Sequence, residues 1–133
     1  MLVRSAAAAL AVGAAAALAL NVSPASAASA ATAASCENAF VLYDNVNYSG
    51  THLCFASWES ESDLGKIAAL PSGSIQDKTS SVKNDTDTAF CLFVDNNYSG
   101  DRFTLDAHTW IADMRVPNPY WNDKISSIRP GAC

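Results

Sequence analysis

The sequence predicts an all-β domain, a sandwich of two antiparallel sheets built from one unit used twice. Three observations predict it. Two β-prone runs flank a turn of Asp, Asn and Gly between Ala39 and Phe55, and the same passage returns between Phe90 and Leu105. A second shared segment then closes each half, at Gln76 to Val82 and at Asn122 to Ile128. A repeat of this kind sets the architecture before any single element is assigned.

In chain order, residues 1–27 read as a secretory signal peptide: Arg4, an uncharged apolar run from Ser5 to Leu20, and the small-residue exit Pro24-Ala25-Ser26-Ala27. The run is too short for a spanning helix, which needs about 20 apolar residues. Residues 28–35 are Ala, Ser and Thr without periodicity and read as a flexible lead. A single domain is expected over 36–133, in two units of about 36–84 and 85–133. Each unit opens with a hairpin. In the first, Ala39 to Tyr43 and Thr51 to Phe55 flank the turn Asp44 to Gly50; in the second, Phe90 to Phe93 and Asp101 to Leu105 flank Val94 to Gly100. The middles, Ala56 to Ser74 and Asp106 to Trp121, hold Pro71, Gly73, Pro117 and Pro119. These breakers limit the brief helical signals at Ser62 to Ala69 and Thr109 to Met114 to one turn at most. Thr79 to Lys83 and Ile125 to Arg129 carry the β-branched alternation of closing strands.

Composition narrows the function. The 133 residues carry 8 basic and 13 acidic groups, a net charge of −5, and half are hydrophobic. Removing 27 of the 133 leaves 106 residues; without Arg4 these hold 7 basic and 13 acidic groups, a net charge of −6. An acidic chain with no basic run cannot neutralise the phosphates of a nucleic acid or favour an anionic membrane. The size suits a binding module or an inhibitor better than an enzyme with a closed cleft. Only two histidines are present, with no Gly-x-Ser-x-Gly, His-Glu-x-x-His or phosphate-cradling glycine loop, so no enzyme is expected. The sequons at Asn47, Asn84 and Asn97 carry little, since two lie inside the hairpin turns.

Cys36, Cys54, Cys91 and Cys133 all follow the signal peptide and are even in number, as expected of two disulfides in an exported protein. Three pairings are open on sequence alone. Zinc sites want close pairs such as Cys-x-x-Cys, which these spacings lack, and His52 beside Cys54 reads as alternate residues of one strand.

Tyr43, Tyr48 and Gly50 recur as Phe93, Tyr98 and Gly100, each set an aromatic, four residues, an aromatic, one residue and Gly. Each is followed by a segment close to Asn/Asp-Asn/Asp-x-x-Ser/Thr-Ser. Together they resemble the βγ-crystallin superfamily, over nearly all of Phe40 to Arg129, which implies a double Greek-key β-sandwich. The residues explain themselves physically. Gly50 and Gly100 sit where a folded-over hairpin needs backbone angles costly for a residue with a Cβ. The paired aromatic rings cover that fold, and Ser81 and Ser127 are expected to hydrogen-bond to its backbone. In the Greek key so implied, the closing strand runs beside the first, which sets Cys133 near Cys91 and leaves Cys36 to Cys54.

The other polar atoms of the closing segments are hard oxygen donors, which suit Ca²⁺. The resemblance implies one or two Ca²⁺ ions. Asp77, the carbonyl of Lys78 and Ser80 would meet the carbonyl of Val94; Asp123, the carbonyl of Lys124 and Ser126 would meet that of Asp44. Gln76 departs from the Asn or Asp of the pattern, which Asn122 keeps. The plain alternative is that both segments are turns into the last strand.

The chain also resembles the Streptomyces metalloproteinase inhibitor family, in its export signal, its cysteines, and Asp63-Leu64 and Asp113 to Arg115 placed ahead of the closing segments. That resemblance implies a secreted, extracellular, monomeric peptidase inhibitor acting through an exposed loop on a secreted protease. Two loops qualify, Ala56 to Ser74 and Asp106 to Asn122. In the second, Trp110, Tyr120 and Trp121 with Pro117 and Pro119 could form a stiff aromatic edge. The preferred reading is that Trp110 and Trp121 cap the two ends of the core.

Overall fold

In a computed structural model the described residues are 36–133, so the expected signal peptide and lead lie outside them. Seven strands form among the described residues: β1 (Phe40–Asn45), β2 (Ser49–Phe55), β3 (Ser81–Asn84), β4 (Phe90–Asp95), β5 (Ser99–Leu105), β6 (Thr109–Ile111) and β7 (Ser127–Pro130). One antiparallel sheet has the order β2-β1-β3-β6 and the other β5-β4-β7. Single 3-10 turns occupy Leu64–Lys66 and Pro119–Trp121.

The hairpins form because alternate residues find the core. Phe40 and Leu42 of β1, and the equivalent Phe90 and Leu92 of β4, are fully buried. The two equivalent phenyl rings stack on one another, with centroids 4.2 Å apart and planes 14° apart, at the centre of the sandwich. Around them pack Leu53, Leu64, Ile75, Val82, Met114, Ile125 and Ile128.

Two expectations are corrected. Thr109 to Met114 was expected to give a helical turn at most, but Thr109–Ile111 is β6, because the open edge of β3 offers its backbone a partner: Val82 faces Ile111 and Asn84 faces Thr109. The closing strands begin two residues later than their alternation suggests, at Ser81 and Ser127, because the backbone just before each strand turns toward the opposite unit.

β6 belongs to the second unit yet completes the first unit's sheet. The first unit reciprocates through Glu61, which makes an isolated bridge to Ile128 of β7. Each unit thus lends its third segment to the other. The disulfides are Cys36–Cys54 and Cys91–Cys133, with Cα atoms 5.6 and 5.0 Å apart. No helix among the described residues is long and apolar enough to cross a membrane.

Candidate functional site

Each hairpin folds over at its glycine. Gly50 and Gly100 have φ of 82° and 77°, and a Cβ on Gly50 would run into Asp44 and Asn45. Ser81 Oγ donates to the Asn45 carbonyl at 2.6 Å and accepts from the Tyr48 amide at 3.0 Å; Ser127 does the same for Asp95 (2.6 Å) and Tyr98 (3.1 Å). Tyr43 and Tyr48 meet edge to face at 6.0 Å, as do Phe93 and Tyr98 at 5.8 Å. These residues hold the hairpins in place.

The closing segments run against one another. The Asp77 amide donates to the Ile125 carbonyl at 3.1 Å and the Asp123 amide to that of Thr79 at 3.0 Å. This exchange regroups the expected metal donors. Asp77 meets Ser126, whose Oγ donates to Asp77 Oδ1 at 2.8 Å, and Asp123 meets Ser80, whose Oγ donates to Asp123 Oδ1 at 3.3 Å. Asp77 thus hydrogen-bonds to Ser126 rather than to Ser80, and Asp123 to Ser80 rather than to Ser126. The physical reason is that reciprocal backbone pairing points each carboxylate at the other segment's hydroxyl.

Two surface depressions result. The first is lined by Asp77, Ser126, Lys124 and Val94, with Gln76, Asp95 and Asn96 around them. The second is lined by Asp123, Ser80, Asp44 and Asn122, with Arg115. Lys78 lines neither. Asp123 borders both. In the second, Asp44 Oδ1 already accepts from the Thr51 amide at 2.7 Å, and the Asn122 Oδ1 atom is buried without a partner. The residues lining the first depression carry carboxylate, hydroxyl and amide oxygens, from Asp77, Asp95, Asp123, Ser126, Gln76 and Asn96, beside the exposed Lys124, and that oxygen set suits Ca²⁺ rather than a thiophilic metal. The one grouping of three sulfur, imidazole or carboxylate ligand atoms found among the described residues is Cys36, His52 and Cys54, whose sulfurs are joined to each other.

Charge at the rims is pinned. Asp113 accepts two hydrogen bonds from the Arg115 side chain and one from its amide, which holds the carboxyl down at about 2. Tyr120, beside the first depression, donates to Asp101 at 2.6 Å, and that bond raises the phenol above its ordinary value.

The aromatic residues divide by role. Trp121 packs on the core against Phe103, with centroids 4.7 Å apart, as a cap should. Trp110 does not cap the core: it is 54% exposed on β6, where its indole N–H donates to Asp85 at 2.6 Å and the Lys83 ammonium sits 4.4 Å from its ring. The residue that sequence reasoning missed is Trp58, 78% exposed in the first loop. Its turn is closed from both sides, since the Ala56 amide donates to Glu59 Oε2 at 2.8 Å and the Glu59 amide donates to the Ala56 carbonyl at 3.0 Å. The sequence did carry a sign of it: the position fifty residues on is His108, so Trp58 has no counterpart in the repeat.

Comparison with known proteins adds two findings. Over residues 28–104, and again over 86–129, the sequence matches peptidase inhibitor family I36. The structure matches solved βγ-crystallin domains. One, solved in work on the evolution of the eye-lens domain fold, is 25% identical with a TM-score of 0.59, over 73% of this chain and 88% of that one. A domain from Flavobacterium johnsoniae is 25% identical with a TM-score of 0.55, over 70% and 93%. An archaeal domain is 20% identical with a TM-score of 0.54, over 71% and 98%. A search of curated proteins gave no match. The fold is the βγ-crystallin double Greek key.

Proposed function

The chain belongs to peptidase inhibitor family I36, and from that premise we propose that it is an exported, extracellular inhibitor that seats the Trp58 turn in the cleft of a secreted protease. The observation that carries this reading is the exposure of Trp58 on a turn already closed by Glu59. A large aromatic side chain left 78% exposed adds little burial to the fold, and buried aromatic anchors dominate the energy of most interfaces. Because the turn is hydrogen-bonded in the free protein, little conformational entropy is lost when it docks. The two disulfides suit an oxidising compartment.

The test is an inhibition assay against secreted metalloproteases and serine proteases, with Trp58→Ala beside the wild type. Loss of an anchor worth about 2 kcal/mol weakens inhibition about 30-fold, with the melting temperature unchanged. Equal inhibition by Trp58→Ala moves the contact to the Asp106 to Asn122 loop. No inhibition of any protease by the wild type ends the reading.

Calcium binding is the second reading, favoured by one observation: Asp77 and Ser126, brought together from different units, face Val94 across an oxygen-rich depression. Binding and inhibition are compatible, because an ion that binds only the folded state stabilises the scaffold behind the Trp58 turn by mass action.

A further inference from the structure

The two depressions are built from equivalent segments, and one difference between them puts a cation at the second: position 65 against position 115. Gly65 in the first unit corresponds to Arg115 in the second, since the Leu64 amide donates to the Ser126 carbonyl at 2.9 Å just as the Met114 amide donates to that of Ser80 at 2.8 Å. A Cβ on Gly65 would run into Gln76 Oε1. Gln76, longer than its counterpart Asn122, thus fills the space that Gly65 leaves. Its Nε2 donates to Asn96 Oδ1 at 3.4 Å, which leaves Oε1 as a neutral acceptor beside Asp77. The departure from the sequence pattern at Gln76 and the glycine at 65 are therefore one packing solution.

The second depression has the opposite solution. Arg115 lines it beside Asp123, Asp44 and Ser80, and its guanidinium is fixed in place by Asp113, Nε to Oδ1 at 2.8 Å and Nη2 to Oδ2 at 2.7 Å. Asp113 foremost, with a smaller contribution from Asp123, holds that group charged above its ordinary value. Asn122 Nδ2 takes a further share of the Asp123 carboxylate at 2.7 Å. In the first unit the corresponding acid, Asp63, pairs instead with Lys66 at 3.3 Å, and that exposed lysine lines neither depression; Lys124 lines the first, but it is exposed and no ion pair or hydrogen bond among the described residues fixes its ammonium there.

We propose that Arg115 is the resident cation of the second depression, so that the chain binds a single Ca²⁺, at the Asp77–Ser126 depression. A tethered guanidinium loses no translational freedom on occupying the site and repels an arriving divalent ion. This rests on the calcium reading above.

The experiment is Ca²⁺ titration by isothermal calorimetry of the disulfide-bonded chain and of Arg115→Gln, Arg115→Gly, Asp77→Asn and Asp123→Asn, each first shown to melt cooperatively in EDTA. The expected result is one ion for the wild type, none for Asp77→Asn and one for Asp123→Asn. Arg115→Gln and Arg115→Gly each take two, and adding Asp123→Asn removes the second. Arg115→Gln keeps the loop's backbone preferences, so the test stands if the glycine variant does not fold. Two ions in the wild type, a single ion lost in Asp123→Asn but kept in Asp77→Asn, or Arg115 variants that still bind one, overturn the inference and leave calcium binding standing. No binding by any of the five proteins overturns both.

Discussion

Two buried hydroxyls meet opposite fates. Ser127 is fully buried, donates to the Asp95 carbonyl and accepts from the Tyr98 amide, so its removal leaves both backbone groups unanswered. Ser127→Ala is expected to cost about 2 kcal/mol in urea unfolding, within the range for stranding a buried polar group. Thr79 is equally buried, but its Oγ1 has no partner, and the second unit places Ile125 at the same position. Thr79→Val, which keeps the shape and removes the orphaned hydroxyl, is expected to raise stability by about 1 kcal/mol in the same measurement. At this scale the repeat made much of the molecule legible, because residues such as Ser81 and Ser127 recur with their neighbours. What the repeat concealed was which partner each residue meets. Asp77 stands three residues before Ser80 in the sequence, and no local rule says that its carboxylate turns to Ser126 of the other unit.

The hairpins are the elements the sequence specifies most fully. Strand alternation, an Asx-rich turn and a glycine at the fold-over position act together, and Gly50 takes a φ of 82° with no room for a side chain. Gly50→Ala is expected to destabilise by about 1 to 3 kcal/mol, the usual cost of a strained backbone, read as a lower urea midpoint at unchanged slope. The middle segments are the opposite case. Thr109 to Ile111 has too few residues for periodicity to separate a strand from a helical turn, and only the free edge of β3 decides it. The Trp58 turn is equally local, and its exposure follows from packing that no window of sequence contains.

Across the whole molecule, the lent segments make the units interdependent. β6 lies in the first unit's sheet, Glu61 bridges to the second unit's β7, and Phe40 stacks on Phe90 between them. Residues 36–87 and 88–133, expressed separately with their disulfides intact, are therefore expected to lack fixed tertiary structure by NMR and to regain it when mixed. Folding of either half alone would show that the exchange is dispensable. The overall architecture was readable from the duplication and the even cysteine count, whereas the exchange was not, since strand runs of similar strength fit a unit that closes on itself equally well. The exchange also says what one unit lacks by itself. Alone it has no partner for its third segment and no second phenylalanine for the central stack, so each unit is completed only by the other. The present chain is in that sense a dimer joined end to end. Because the two halves are one chain, they need not be identical, and Trp58 and Arg115 each stand without their like in the other half.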